Sequence, residues 1–404
     1  MPAIKHALLV GDFADINGGQ AKVSIDSARL LAEHGIAVTF FAAVGPVSAH
    51  LDHPFIEVIC LNQNDILQDP NRLRALRHGI WNRKAAARLA EVAGRLDPST
   101  SVLHCHGYAK ALSPSIGPVL AQEILPTVYT MHEYFLACPN GGFYDYQRNE
   151  ICTRRALGPA CLTTHCDVRK RTHKAWRVAR QAATWGPGRL PRRLTDIVYI
   201  SNLQREVLKP YFSASTRLHH IPNPVPVSNM PVVEVENNDV MLFVGRLNPE
   251  KGGLMFAKAA RLADVQAVFV GDGAERAQIE VENPEAKILG WKTPDEVQEW
   301  IGRARALVFP SLWYEGQPLV PMEALMRGVP VVCGSWSAAR ECVADGQNGH
   351  IYHEATPEAL AQALREIKTL PAFDPADIQA HVSPEKHLRS LLTLYSEMLE
   401  RHSH

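Results

Sequence analysis

Short apolar, β-branched runs alternate with longer stretches whose apolar positions recur every three or four residues. The series opens with HALLVG (6–11), an amphipathic QAKVSIDSARLLAEHG (20–35), AVTFFAA (37–43) and FIEVICL (55–61). The short runs predict buried strands, and the longer pattern a helix with one face inward. NRKAAARLAEVAGRL (82–96) predicts another helix, and SVLHCH (101–106), PTVYTMH (126–132) and DIVYIS (196–201) further strands. A second series follows RLHHIPNPVP (217–226), whose three prolines read as a hinge. It runs DVMLFVG (239–245), LMFAKAARLA (254–263), QAVFVGDG (266–273), AKILG (286–290), DEVQEWIGRA (295–304), RALVFPS (305–311), LVPMEALMRG (319–328), VPVVCG (329–334) and TPEALAQALREI (356–367). Such alternation predicts βαβ units on parallel sheets: an α/β chain of two doubly wound, Rossmann-like halves facing across a cleft and joined near 222–235. The expected domains are 1–225, with an insertion at about 134–195, then 226–383, and a C-terminal helix in 384–404 packing back on the first half.

Composition narrows the class. The 404 residues exceed one ordinary core, and 42 basic against 42 acidic residues lack the excess positive charge of a dedicated nucleic-acid binder. The N-terminus has only a short apolar run and reads as no signal peptide, and no run reaches the ~18 apolar residues that span a bilayer. Eight cysteines are too dilute for a secreted disulfide scaffold. The expected setting is the cytosol, or the inner face of the plasma membrane.

In an open α/β sheet, ligands bind beyond the carboxyl ends of the strands, and the chemistry-bearing motifs fall there. Gly18 and Gly19 follow the first strand and open the first helix, where backbone can approach a ligand and free N–H groups attract an anion, although a plain βα turn looks the same. In FVGRLNPEKGG, Arg246 leaves a strand end and Lys251 precedes two glycines and a helix; two cations and a helix N-terminus suit a diphosphate, and a solvated loop is the alternative. In WYEGQPLVPME, Pro318 suits the first helical position, so Glu315 lies on the loop and Glu323 about one and a half turns into the helix. Two carboxylates at different depths fit two hydroxyl-rich parts of one ligand better than a metal ion. Their alternatives are a helix N-terminal acid and an exposed helix acid.

These blocks, with VFVGDG and ECVADGQNGHIY, resemble the carboxyl-terminal half of a family 4 glycosyltransferase, the retaining GT-B group whose hallmark is E-x7-E, a spacing that Glu315 and Glu323 fit. The amino half is similar too: Gly18 and Gly19 match the family's glycine loop, HCHGY a strand end facing the second domain, TVYTMHE its active-site histidine at His132, and IPNPV (221–225) the segment before its linker. The resemblance implies a nucleoside diphosphate sugar as donor and a saccharide or lipid-linked saccharide as acceptor, in surface polysaccharide assembly, with no catalytic cofactor. It implies that Glu315, Gly316, Gln317 and Leu319 hold the donor sugar and phosphate, that Glu323 holds the ribose, that Arg246 and Lys251 stabilise the departing diphosphate, and that His132 faces the donor sugar. Pro318 departs from the family, which often has an N–H donor there. Rival readings are a GT-B epimerase or phosphorylase, or a non-catalytic sugar-nucleotide-binding scaffold.

The insertion stands outside that pattern. Cys138, Cys152, Cys161 and Cys166 fall within 29 residues, which suggests a structural zinc site, though only Cys161 and Cys166 are closely spaced; scattered thiols are the alternative. From 167 to 193 there are nine basic residues against one acidic, with Trp176 and Trp185 interleaved. Arg169, Lys170, Arg171, Lys174, Arg177 and Arg180 are the candidates to meet an anionic membrane or a lipid-diphosphate acceptor, against a merely solvated face. Arg72, Arg74, Arg77, Arg83, Lys84 and Arg88, with Trp81, form a second basic patch.

Overall fold

The computed structural model describes residues 4–122, 124–225 and 230–403. The strands are β1 (His6–Phe13), β2 (Ala37–Val44), β3 (Ile56–Cys60), β4 (Ser101–Cys105), β5 (Thr127–Thr130), β6 (Tyr144–Asp145), β7 (Glu150–Ile151), β8 (Asp196–Tyr199) and β9 (Arg217–His220). The second series gives β10 (Val240–Val244), β11 (Ala267–Val270), β12 (Lys287–Ile288), β13 (Ala304–Phe309), β14 (Val331–Gly334) and β15 (Gly349–Tyr352). One sheet has the order β3-β2-β1-β4-β5-β8-β9 and the other β12-β11-β10-β13-β14-β15. Every neighbouring pair in both is parallel. The two doubly wound parallel sheets expected from the alternation are both present. Part of the predicted linker, 226–229, lies outside the described residues.

Parallel strands are covered on both faces, so they read as apolar runs rather than polar–apolar alternation. In β1, Leu8 and Val10 join one core with Phe41 and Leu103, closed by Ala85, Leu89 and Val92 of the Arg83–Ala93 helix. Ala7 and Leu9 join the opposite core with Val38, Phe40 and Val102. There the Gly19–Glu33 helix supplies Ile25, Ala28 and Leu31, and the last helix, Pro384–His402, supplies Leu391, Leu394, Met398 and Leu399. The C-terminal segment thus crosses back to the first sheet, where burying each leucine contributes about 1.5–3 kcal/mol. His387 of that helix lies 2.8 Å from Pro222 O and 3.1 Å from Ser27 Oγ, and the Tyr395 hydroxyl lies 2.6 Å from Nδ1 of the buried His104.

In each sheet the strand order reverses at one place, between β1 and β4 in the first and between β10 and β13 in the second. These switch points leave crevices at the carboxyl ends of the strands. The Gly18–Gly19 loop follows β1, the Arg246–Lys251 loop follows β10, and the Glu315 loop follows β13. Gly252, just past Lys251, has φ +71°, and a Cβ there would collide with Pro310 O, so the turn into the Gly253–Ala263 helix requires glycine. Pro318 stands one residue before the Leu319–Leu325 helix rather than at its first position.

Less regular parts escape the periodicity. The Arg72–Ile80 helix is almost entirely polar or exposed outward, and it is held by Gly79 lying under the Trp176 ring and by Trp176 Nε1 donating to Leu76 O at 3.1 Å. Its packing partner is the Arg171–Trp185 helix of the insertion, which also holds the antiparallel pair β6–β7 and the short Pro159–Thr163 helix.

Candidate active site

A cavity of about 260 Å³ lies where the two sheets' strand ends meet. From the first half it is lined by Asp12, Gly18, Gly19, His106, Lys110 and His132, and from the second by Glu315, Gly316, Gln317 and Leu319. Seven residues singled out in sequence therefore share one cavity, although they come from three separate segments.

Glu315 is its most constrained group. Lys251 Nζ at 2.6 Å, Trp313 Nε1 at 2.7 Å and Ser311 Oγ at 2.9 Å all donate to its Oε1. Burial pushes this carboxyl up, but the Lys251 ammonium and the three donors outweigh it and hold it below the usual glutamate range, so it is ionised at neutral pH. Lys251 also sits over the Trp313 ring, 4.9 Å from its centroid. Its charge is thus shared with Glu315 before any ligand arrives.

The loop beyond Glu315 is gripped from the first half. Tyr134 Oη donates to Glu315 O at 3.2 Å, and Asn223 N donates to Gln317 Oε1 at 2.6 Å. A Cβ on Gly316 would stand 3.2 Å from His132 O and 3.0 Å from Ile200 Cδ1, so glycine allows this close approach between the halves.

Three histidines stack across β4 and β5. The His104 and His106 rings are 4.1 Å apart at 28°, and those of His106 and His132 5.3 Å apart at 18°. His106 Nδ1 lies 3.1 Å from His132 Nε2, and His104 Nε2 lies 2.6 Å from Thr130 Oγ1. Burial, reinforced by the charge on His387, lowers His132 to about 3; burial and the charges on His132 and His387 also lower His104 to about 3, and His106 falls well below its ordinary value. All three imidazoles are neutral at physiological pH. His132 therefore acts as a hydrogen-bonding group and not as a cation. The buried Nε2 of His106 has no hydrogen-bond partner among the described residues.

Sequence reasoning passed over His106, Lys110 and Glu133. The signal for His106 was present in HCHGY, where residues two apart on an extended strand end point to one side, whereas Lys110 and Glu133 carried none. Asp12, buried at the end of β1, accepts hydrogen bonds from the N–H groups of Lys110, Ala111 and Leu112 at 3.0, 2.8 and 2.9 Å and so fixes the loop that carries Lys110.

Three predicted site residues do not line this cavity: Arg246, Glu323 and Lys251, the last of which meets it only through its 2.6 Å contact with Glu315. Arg246 lines a second cavity of about 700 Å³, which shares Lys110 and Glu133 with the first. Glu323 lines neither; its Oε2 accepts from Gln298 Nε2 at 3.0 Å, and burial pushes its carboxyl up against the opposing charge of Lys22.

Cys138, Cys152, Cys161 and Cys166 are all buried and free. Lys174 Nζ lies 3.1 Å from Cys166 Sγ and 3.6 Å from Cys161 Sγ, while Arg154 reaches Cys152 Sγ at 3.5 Å. Backbone N–H groups from 140 to 143 face Cys138. Among the described residues no three His, Cys, Asp or Glu side chains are grouped so as to hold a metal ion. In this arrangement the Lys174 ammonium meets two of the four thiols.

The basic stretch also divides. Lys174 and Arg180 are only 5% and 4% exposed, which removes them from the residues expected to meet a membrane. Helical phase turns them inward, Lys174 to the thiols and Arg180 to Ala109 O at 3.0 Å. Arg177 pairs with Asp167 at 2.8 Å. Arg169, Lys170 and Arg171 remain exposed, and the contact between the Arg72–Ile80 and Arg171–Trp185 helices brings the two basic patches side by side. Among the described residues no helix is long and apolar enough to cross a membrane.

Comparison with known proteins agrees with this architecture. Residues 238–369 match the family model described as glycosyl transferases group 1, about a third of the chain. The chain is 26% identical over 179 residues to the lipopolysaccharide 1,2-N-acetylglucosaminetransferase of Salmonella typhimurium, covering 40% of this chain and 45% of that one. It is 32% identical over 110 residues to an Escherichia coli UDP-Gal:alpha-D-GlcNAc-diphosphoundecaprenol alpha-1,3-galactosyltransferase, covering 24% and 28% respectively. The chain thus spans less than half the length of the curated relatives it matches. Solved structures match almost throughout: Anabaena HepE in complex with UDP and glucose, with TM-score 0.63 and 17% identity, covers 97% of this chain and 100% of its own. Sucrose-phosphate synthase from Thermosynechococcus elongatus, with TM-score 0.67 and 19% identity, covers 98% of this chain and 100% of its own. The fold is GT-B.

Proposed function

We propose that this GT-B chain is a retaining glycosyltransferase of the family 4 type, which moves a hexosyl group from a nucleoside diphosphate sugar to a saccharide acceptor, free or lipid-linked, during surface polysaccharide assembly. The observation that carries the reading is the ionised Glu315, held by Lys251, Trp313 and Ser311 at the switch point of the second sheet and facing His132 and the Gly18–Gly19 loop of the first. The names of the relatives support the activity class.

On this reading the donor lies in the cleft with its diphosphate near Arg246, Lys251 and the N-terminus of the Gly253–Ala263 helix. Those positive groups stabilise the charge that grows on the leaving diphosphate. Glu315 accepts hydrogen bonds from donor-sugar hydroxyls, the N–H groups of Gly316 and Leu319 approach sugar or phosphate, and Pro318 offers none. Neutral His132, braced by His106, presents a ring nitrogen to the sugar. Glu323 binds the ribose, which requires that it turn away from Gln298. The working place is the cytosol or the inner membrane surface.

A panel of UDP, GDP and ADP sugars in a thermal-shift screen tests the reading, because a ligand at 100 times its dissociation constant adds about 2.7 kcal/mol. The best donor, followed by NMR with and without saccharide acceptors, should yield a glycoside of unchanged anomeric configuration. No stabilisation by any donor refutes it, and interconversion of the sugar nucleotide alone would favour an epimerase.

A further inference from the structure

We propose that the 700 Å³ cavity is the acceptor site and that it takes a saccharide linked through a diphosphate to a long hydrocarbon chain. The proposal rests on the glycosyltransferase reading and names the acceptor class that reading leaves open.

Six cationic side chains line the cavity: Arg72, Lys110, Arg169, Arg177, Arg180 and Arg246. Only Asp65 and Glu133 oppose them there. Asp65 already accepts from the N–H groups of Leu67 and Gln68 at 2.6 and 2.8 Å, and burial pushes Glu133 towards its neutral form. Arg177 has Asp167. Arg180 is the informative one. It is buried, stacks 4.6 Å from the Phe135 centroid and 5.2 Å from that of Trp176, and donates only to carbonyls, those of Ala109 and Pro139. Among the described residues no carboxylate lies within ion-pair distance of it, nor of Arg72, Lys110 or Arg169; Arg246 stays with the donor diphosphate. A buried guanidinium without an anion is costly, and a ligand with a compact double negative charge relieves that cost.

Charge alone would fit any polyphosphate, but the cavity also has an apolar lining. Ile66, Leu76, Phe135, Trp176 and Trp313 line it. Around the same helices large apolar side chains face outward: Leu67 is 57% exposed, Leu73 74% and Val168 57%, interspersed with Arg72, Arg74 and Arg169. Arg74 is paired with Asp69 at 2.7 Å, and exposed leucines beside the unpaired Arg72 and Arg169 suit an acidic bilayer surface. The order of parts then follows. The shared Lys110 and Glu133 connect this cavity to the smaller one. A sugar on one side of the diphosphate reaches towards Glu315, and the hydrocarbon on the other leaves past Leu76 and Leu73 to the membrane.

Farnesyl diphosphate is a soluble probe of this chemistry. The full chain, saturated with the nucleoside diphosphate that stabilises it most, is titrated calorimetrically with farnesyl diphosphate, inorganic pyrophosphate and monomeric octyl glucoside. Farnesyl diphosphate should bind at least 10-fold more tightly than either of the others. The Arg72→Gln, Arg169→Gln double variant, both residues being exposed, should weaken it at least 5-fold and leave nucleoside diphosphate affinity unchanged. Equal affinity for pyrophosphate, displacement by the nucleoside diphosphate, or an unaffected double variant would overturn the proposal. So would capture by phosphatidylglycerol vesicles without any farnesyl diphosphate binding, which would leave a headgroup-docking face. If no nucleoside diphosphate binds, the glycosyltransferase reading fails and this inference falls with it; if one binds and the lipid probe does not, only this inference fails.

Discussion

Replacing Glu315 by Gln keeps the shape of the side chain and removes its charge, so it isolates what that carboxylate does. In the wild type, Lys251 and Glu315 are 19% and 15% exposed, close enough to buried that solvent screens their attraction weakly. Breaking a buried pair on one side commonly costs about 3–5 kcal/mol, because the other charge remains uncompensated. Here Gln still offers an oxygen to Trp313 and Ser311, and Lys251 retains some access to water, so about 2–3 kcal/mol is the expected loss at pH 7. The sign with pH follows from the depressed carboxyl of Glu315. A group whose folded value lies below its unfolded one, about 4.3 for glutamate, contributes fully above the unfolded value and loses that contribution as pH falls through the folded one. The stability gap between wild type and Glu315→Gln should therefore be constant from pH 7 to about 5 and close as the solution is acidified further. Urea titrations of both proteins across this range, read by tryptophan fluorescence because Trp313 donates to the carboxylate, measure the gap. A gap that stays constant into acid, or a variant as stable as wild type at pH 7, would refute the account of Glu315 as an ionised, lysine-paired group. Turnover should fall by about 10²-fold or more, while free nucleoside diphosphate binds at least as well because Lys251 is released.

Three further outcomes can be checked. Glu323→Ala should weaken nucleoside diphosphate binding by about 1.5–3 kcal/mol in calorimetry, and unchanged affinity would remove the ribose role. Arg246→Ala and Lys251→Ala should each lower turnover about 10²-fold, with wild-type activity persisting in EDTA; full activity of both variants would relocate the diphosphate. His132, lowered to about 3, should add no inflection to the kcat profile between pH 5.5 and 8, and an inflection there that disappears in His132→Gln would show an ionising imidazole instead.

Periodicity and punctuation carried the architecture. Continuous apolar runs such as HALLVG mark strands covered on both faces, the intervening patterns mark their covering helices, and parallel strands put every βα loop at one edge. That is why Gly18, Glu315 and Gln317 could be assigned to a cleft before any contact was known. Weakly periodic pieces such as Arg72–Ile80 were not legible, since packing against Trp176 and not propensity holds that helix in place. Side-chain partnerships across the chain were likewise hidden. The histidine stack needs β4 beside β5, with Cys105 opposite Tyr129, and the Lys251–Glu315 pair needs β10 beside β13. Composition counted Lys174 and Arg180 among the surface charges and the four cysteines as one ligand set; only the folded insertion, by turning Lys174 into the thiols and Arg180 under Phe135, decided which charges face water. The physical reason is range: hydrophobic burial repeats with the local period of the backbone and can be read along the chain, whereas an ion pair or hydrogen bond is set by distances between residues that the sequence separates and the fold alone brings together.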